Sequence, residues 1–341
     1  MKFGLLLPFA GRGERYEVFF EELRTEVVEA EGRGFDGCFI GEHHQQDGFT
    51  SPLHVLAALS SCTRRMKLGS AILLLPLYHP VRVAEDAAMV DVMSAGRLIL
   101  GVGTGYQRAD FTPFGIPFDE RVARFEEGLD VIRGVWAQER FAYRGQCFSI
   151  PEVRVSQKPV QQPAPPIWGA AWTEAGLRRV TQRCDGWIAD PIQNMATIAQ
   201  AVRRMRAHAG ERRLTVALIR SAWVAQTAEQ ARREYSASAL RTHAYFFKRG
   251  AYRVEYDPWM KNVHRVQDLT FEAIARDRIL CGSPADVREE IARWQKSIEP
   301  DWLILSVRNG TEPSHALTMS AIARFGDDVI PAFAEDREVK T

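Results

Sequence analysis

The chain has 341 residues, 44 Lys plus Arg against 43 Asp plus Glu, and 46% hydrophobic residues, enough to bury one large core or two ordinary ones. A formal net charge of +1 leaves no broad basic face for a phosphate backbone, which argues against nucleic acid and for small-molecule chemistry. The longest apolar stretch, Ala71 to Leu77, is too short to cross a bilayer, and no signal-like apolar core follows Met1, so a cytoplasmic protein without a membrane segment is expected. Cys38, Cys62, Cys147, Cys184 and Cys281 are widely spaced with no Cys-x-x-Cys pair, which suggests neither a disulfide framework nor a zinc site.

Strand-like and helix-like segments alternate almost from end to end, the pattern of a parallel sheet with crossover helices. A first strand covers Lys2 to Pro8, and the spacing of Leu23, Val27 and Ala30 predicts a helix from Val18 to Arg33. A second strand, Gly37 to Gly41, runs into the loop from Glu42, and Ser51-Pro52 opens a helix to Cys62. Lys67 to Pro76 reads as one nearly continuous apolar strand buried on both faces. Pro80 starts a helix that ends near Gly96, and Leu98 to Val102 is the fourth strand. A long helix, Asp119 to Ala137, precedes a Pro- and Gly-rich excursion at about 141–165 that suggests a hairpin or extended segment.

The alternation resumes with a strand from Pro166 to Ala171, a helix from Thr173 to Arg183, a strand from Gly186 to Asp190 and a helix from Asn194 to Ala209. A seventh strand, Leu214 to Ala225, is followed by a long connection at about 227–280. Ser283-Pro284 caps a helix to Lys296, Trp302 to Val307 is the eighth strand, and a last helix covers Ser314 to Phe325. Eight strands in βα order predict an α/β fold, a (β/α)8 TIM barrel over 1–341 as a single domain, with insertions after strand four and after strand seven. In that architecture the chemistry sits at the C-terminal ends of the strands, on the βα loops.

At the end of the second strand Gly41-Glu42-His43-His44 places an acid and two imidazoles at the expected barrel mouth. Adjacent strand residues point to opposite faces, so the two histidines do not easily share a metal, and no matching ligand set appears at the other strand ends. No metal is expected. One histidine serves either as a packed structural group or as a proton carrier near neutral pH, and the position favours the second for at least one of them. The run Gly101-Val102-Gly103-Thr104-Gly105-Tyr106 is not a dinucleotide fingerprint, because it continues through Phe111-Thr112-Pro113-Phe114-Gly115 instead of opening a helix. Its glycines either admit a flat ring close to the backbone or relieve crowding where strands converge. Thr173 is a natural helix cap whose neighbouring N–H groups suit either capping alone or a phosphate.

These residues resemble the bacterial luciferase family of flavin-dependent monooxygenases. The likeness runs through Glu42-His43-His44, Lys67-Leu68-Gly69-Ser70-Ala71, His79-Pro80-Val81-Arg82 and Glu85-Asp86. It continues into Asp91-x-Met93-Ser94-x-Gly96-Arg97, Gly101-x-Gly103-Thr104-Gly105 and Asp110-Phe111 with Phe114-Gly115, collinear over roughly the first 140 residues. The resemblance implies a barrel that binds reduced FMN (FMNH2), supplied by a separate NAD(P)H-dependent flavin reductase. It implies that O2 is the co-substrate, activated as a flavin C4a-(hydro)peroxide that oxygenates an organic substrate. It carries His43 over as the active-site histidine, with Glu42 and His44 as its neighbours and His79 near the site. It implies a non-proline cis peptide joining Ala71 and Ile72 where the flavin ring rests, and cofactor contacts at Gly103, Thr104, Gly105, Tyr106, Trp172, Thr173, Gly176 and Arg121. Luciferase itself has a reactive cysteine and then an arginine where this chain has Gly103 and Thr104, so the non-luminous members are the nearer analogy.

The same fold implies two other readings: a deazaflavin-coenzyme-dependent hydride-transfer oxidoreductase, and a non-catalytic partner subunit, which retention of Glu42-His43-His44 disfavours. A homodimer is expected. For the substrate, the long connection carries His243, Tyr245, Phe246, Phe247, Tyr252, Tyr256, Trp259 and His264. Its length and aromatic density predict either a mobile lid, with His243, Phe246, Phe247 and Trp259 walling an apolar or aromatic substrate beside His79, or a helical hairpin that packs on the barrel or builds a dimer contact.

Overall fold

The computed structural model describes residues 1–8, 15–44, 50–248, 250, 252 and 257–333. Its strands are β1 (Lys2–Leu6), β2 (Gly37–Ile40), β3 (Lys67–Ser70), β4 (Leu73–Leu74), β5 (Leu98–Gly103), β6 (Phe141–Arg144), β7 (Ser149–Val153), β8 (Ile167–Ala170), β9 (Gly186–Ala189), β10 (Thr215–Val224), β11 (Leu280–Gly282) and β12 (Trp302–Ser306). The helices are α1 (Tyr16–Gly32), α2 (Pro52–Ser60), α3 (Pro80–Met93), α4 (Arg108–Phe111), α5 (Arg121–Ala137), α6 (Glu174–Arg183), α7 (Met195–Ala209), α8 (Ala228–Lys248), α9 (Phe271–Ala275), α10 (Pro284–Ile298) and α11 (His315–Arg324). The strand order is β11-β10-β12-β1-β2-β3-β5-β8-β9, with β9 also pairing with β10. That order is a closed eight-stranded (β/α)8 barrel, in which β4 and β11 are short additions beside β5 and β10.

The chain divides into two compact units, residues 37–187 and residues 1–36 with 188–341. In the first, β2, β3, β5 and β8 pair in parallel, with Cys38 opposite Leu68, Leu68 opposite Leu98 and Leu100 opposite Ile167. β2 and β5 are buried along their whole length, as expected of strands covered on both faces. The excursion at 141–165 contains the antiparallel hairpin β6–β7. The carboxylate of Glu127 on α5 grips its turn, accepting the backbone N–H groups of Gln146, Cys147 and Phe148.

In the second unit, β10, β12 and β1 pair in parallel, and β11 lies along the end of β10. The cap read from sequence at Ser283 holds there, its side chain accepting the Asp286 N–H, and Asn194 and Ser314, expected as the first residues of their helices, cap them by accepting the N–H groups of Thr197 and Leu317. The longest element of the long connection is the 21-residue helix α8. Tyr235 on α8 donates to Ser306 O and stacks on Trp223, so the helix packs at the C-terminal ends of β10 and β12. Tyr256 lies outside the described residues.

Three sequence expectations need correction. The apolar run Lys67 to Pro76 is not one strand: β3 stops at Ser70, β4 has two residues, and a 3-10 turn takes Leu75–Leu77. Hydrophobicity cannot register that the Leu74 N–H is taken by a side chain or that Pro76 has none to give. The loop after Gly103 does open a helix, the four-residue α4, followed by a 3-10 turn over Thr112–Phe114. β11 was missed because three residues are too few to display a period.

Candidate active site

All the candidate catalytic and cofactor residues belong to the 37–187 unit, where they cluster on the segments that leave the C-terminal ends of β2, β3, β5 and β8. β2 ends at Ile40, and Glu42 follows, 2% exposed. Its N–H donates to Ile72 O at 3.1 Å, while the Ala71 N–H donates to Ile40 O at 2.7 Å. The end of β2 is thereby fastened to the chain after β3 from both sides. The Ala71–Ile72 peptide between these bonds is cis, at the position the resemblance implies.

The Glu42 side chain completes the connection. Oε2 accepts the Leu74 N–H at 2.7 Å, and Oε1 accepts the Tyr78 hydroxyl at 2.7 Å and lies 2.6 Å from His44 Nε2. A buried carboxylate is tolerated when donors surround it in this way. Burial, reinforced by the facing Glu42 carboxylate, pushes the Tyr78 phenol far above its usual range, so it remains a donor. The His44 ring meets Phe114 edge-on at 4.8 Å. His43 is half-buried and His79 exposed; His79 precedes α3 and meets Phe148 edge-on at 5.7 Å. Tyr78 is the member of this hydrogen-bonded cluster that sequence reasoning missed. Its signal was position, since it directly precedes His79-Pro80 on a loop expected at the barrel mouth.

At the end of β5, Gly103 is buried, and a Cβ there would come within 2.4 Å of Ile72 Cδ1. Thr104 is half-buried. Gly105 adopts φ +71° over the ring of Phe111, a conformation that favours glycine. Tyr106 is exposed. Beneath this loop Leu74, Leu77 and Phe111 form a buried cluster, against which Ile72, Tyr78, Ile116 and Phe118 pack. Arg121 lies with its guanidinium 3.9 Å from the Phe118 ring centroid and donates to Phe118 O at 2.9 Å. After β8, Trp172 meets Trp187 at 5.3 Å, edge to face. Thr173 caps α6, its Oγ1 accepting the Gly176 N–H at 3.1 Å. A Cβ on Gly176 would approach Thr173 Oγ1 and Ala171 Cβ to 3.0 Å.

The other unit holds the aromatic candidates of the long connection. His243 is fully buried and hydrogen-bonds through Nδ1 to Tyr252. Burial first, then Arg278 and Arg220, push its imidazole down to about 3, so it is neutral. Trp259 packs edge-on against Tyr252 at 5.5 Å, and Phe246 against His243 at 6.5 Å; Phe247 is half-buried. Arg278, paired with the buried Asp257, lies 5.6 and 5.8 Å from the rings of Tyr252 and Trp259. Among the described residues no group of three or more His, Cys, Asp or Glu is arranged to hold a metal, and no helix is long and apolar enough to cross a membrane.

Residues 1–298 match the family model for the luciferase-like monooxygenases. The chain belongs to that family. Within reach of this luciferase-like chain is the uncharacterized protein y4vJ of Sinorhizobium fredii, 27% identical over 350 residues and covering 97% of each chain. Among solved structures it is similar to the FMN-bound oxygenating constituent of 3,6-diketocamphane monooxygenase from Pseudomonas putida, with a TM-score of 0.83 at 20% identity over 97% of this chain and 98% of that one. It is also similar to the coenzyme F420 dependent tetrahydromethanopterin reductase of Methanopyrus kandleri, with a TM-score of 0.78 at 19% identity over 97% and 99%. At such identities the structural likeness establishes the fold alone.

The residues fit a flavin. Ala71 and Ile72 are partly exposed and offer small or apolar surface suited to a flat ring, while the space over Gly103 and Gly105 is taken by Ile72 and Phe111. The cap of α6 supplies a hydroxyl and a helix N-terminus suited to a phosphate.

Proposed function

We propose that this protein is a two-component, reduced-FMN-dependent monooxygenase that uses O2 to oxygenate a small apolar or aromatic organic molecule, with reduced flavin supplied by an NAD(P)H-dependent reductase. The observation that carries the reading is the presence, in one unit, of the buried Glu42 carboxylate with His44 and Tyr78 bonded to it and of the capped N-terminus of α6. Reduced FMN, when bound, supplies the electrons and the site of O2 activation. The chain's own residues do the rest. Ala71, Ile72, Gly103 and Gly105 take the ring, and Thr104, Tyr106, Trp172, Thr173, Gly176 and Arg121 take the ribityl phosphate end. The buried apolar floor of Leu74, Leu77 and Phe111 excludes water from beneath the ring. The Glu42-His43-His44 segment holds and moves protons at the edge of the site. His79, in the same unit as the cofactor residues, contributes to substrate selection. The reading takes the chain as one cytoplasmic domain that works as a homodimer, and the exposed apolar stripe Met89, Val92 and Met93 along α3 supports the dimer.

The test supplies reduced FMN from a flavin reductase and NADH and follows 18O from labelled O2 into a panel of apolar and aromatic carbonyl compounds. Incorporation of label that requires both FMN and O2 is the expected result. Anaerobic substrate reduction by reduced coenzyme F420, with no FMN-dependent oxygenation, would replace this reading with the deazaflavin one. That alternative draws on the likeness to the tetrahydromethanopterin reductase.

A further inference from the structure

We propose that the unit of residues 1–36 and 188–341 holds a ligand site of its own, which takes the carboxylate of a small organic monoacid on the unspent Nε–Nη2 edge of Arg220, with the N–H groups of His243 and Trp259 as further donors. Arg220 lies on β10 and is fully buried. Its Nη1 donates to Gln193 O at 3.2 Å, and its guanidinium carbon lies 4.5 Å from the Trp294 ring centroid. Nε and Nη2 are buried and have no hydrogen-bond partner. Together they form the side-on edge of the guanidinium, the fork that matches both oxygens of a carboxylate. Donors left dry and unspent are costly, and a ligand that brings two oxygens recovers the loss.

The neighbours set the charge and polarity of the ligand. Arg278 donates through Nε to Ile192 O at 2.6 Å, the carbonyl next in the chain to the one that Arg220 uses. The two cations thus share one stretch of backbone, but they are balanced differently. Arg278 is paired with the buried Asp257, which also accepts Asn194 Nδ2 at 3.2 Å. Arg220 has no carboxylate in ion-pair contact among the described residues; burial, against the more distant pull of Asp190 and with the push of Arg278, lowers its guanidinium to about 9. One charge without a counter-ion calls for a monoanion, which a carboxylate is at neutral pH and a phosphate monoester, at about −1.5 to −2, is not. The Tyr252 phenol, kept protonated chiefly by burial, bonds to His243 Nδ1 and to no other described residue. It is therefore the donor, and the neutral imidazole carries its proton on Nε2. That Nε2–H is buried without a partner, and so is Trp259 Nε1–H. The unspent groups are N–H donors throughout, the complement of an anion. Trp259, half-buried, is the member nearest solvent, and its ring against Tyr252 at 5.5 Å offers apolar surface to the body of the acid.

Benzoate is the probe, titrated into the full chain by isothermal calorimetry and added during thermal unfolding. It should bind saturably, one per chain, and raise the unfolding temperature with concentration. Benzamide, its neutral isostere, and inorganic phosphate should do neither. Arg220→Lys keeps a positive charge but loses the fork, and should weaken benzoate by about tenfold or more. Trp259→Phe removes a single donor from the outer side while keeping an aromatic ring, and should weaken benzoate by roughly three- to tenfold. This second variant keeps the experiment decisive if Arg220→Lys does not fold. No saturable binding of benzoate, equal binding of benzamide, phosphate bound in preference to benzoate, or a benzoate affinity indifferent to the substitutions would each overturn the assignment. Neither measurement involves flavin or O2, so the outcome is separate from that of the flavin reading.

Discussion

The sharpest stability test concerns the long connection, where a packed element and a freely opening lid differ in cost. Asp257 and Arg278 form an ion pair with side chains 3% and 2% exposed. Arg278 also donates to Ile192 O at 2.6 Å, and Asn194 Nδ2 donates to the Asp257 carboxylate at 3.2 Å. Asp257→Ala leaves a guanidinium buried between Tyr252 and Trp259 with no counter-charge, which costs about 3 to 5 kcal/mol. At about 2.1 cal/mol/K of unfolding entropy per residue, a chain of 341 residues has roughly 0.7 kcal/mol/K, so Tm should fall by about 4 to 7 °C. Near-ultraviolet circular dichroism during heating reads this through the tryptophans, and urea midpoints provide the isothermal check. The double variant Asp257→Leu, Arg278→Met should recover more than half of the loss, because the stranded charge is gone. A fall under about 1 °C in the single variant, as expected for a solvent-screened pair, would refute the packed arrangement and restore the lid.

Four further outcomes are expected. Burial holds the Glu26 carboxyl above its ordinary value against the pull of Arg308 and His315. A raised carboxyl contributes stability that is complete below the unfolded value of about 4.3 and is lost as pH rises through the folded one. Glu26→Gln should therefore flatten the urea midpoint over that rise, and an unchanged slope would exclude Glu26 as its source. Thr173→Ala removes the α6 cap, at a cost of about 1 kcal/mol, and should weaken FMN binding more than riboflavin binding in fluorescence titrations; equal weakening would place the phosphate elsewhere. Gly105→Ala, strained by φ +71° and 2.9 Å from the Phe111 ring, should cost about 1 to 3 kcal/mol by chemical denaturation. Val92→Asp, on the exposed α3 stripe, should yield monomers in sedimentation velocity, and a wild-type sedimentation coefficient would move the dimer contact to another face.

The barrel was legible because eight apolar segments separated by capped amphipathic helices leave a parallel sheet little alternative. Thr173 and Ser283 each accept the hydrogen bond their position promised. In the candidate site, the adjacency of Glu42 and His44 was legible from chain order, and the two are hydrogen-bonded. What escaped was everything set by one segment reaching another. The bonding of Glu42 to Leu74 and Tyr78 spans 32 and 36 residues, and no periodicity encodes it. The same blindness produced one strand where the chain makes β3, β4 and a turn. For the aromatic connection, composition gave density but not destination. The buried His243 imidazole, beside Tyr252, is pushed down first by burial and then by Arg278, which lies 35 residues further along the sequence.

Gly103 and Ile72 share a single volume. The ethyl end of Ile72 occupies the space a Cβ on residue 103 would fill, at 2.4 Å, with Ala170 Cβ 3.9 Å away as the far wall. Bulk can therefore be exchanged between the ends of β5 and β3 at nearly constant total, as in Gly103→Ala combined with Ile72→Val, whereas adding it at Gly103 alone forces Ile72 off its rotamer. Under the proposed flavin reading that exchange would reshape the surface offered to the ring, and its effect would pass to Glu42 as well, whose N–H donates to Ile72 O. Engineering a different substrate orientation should begin with these two positions as a pair.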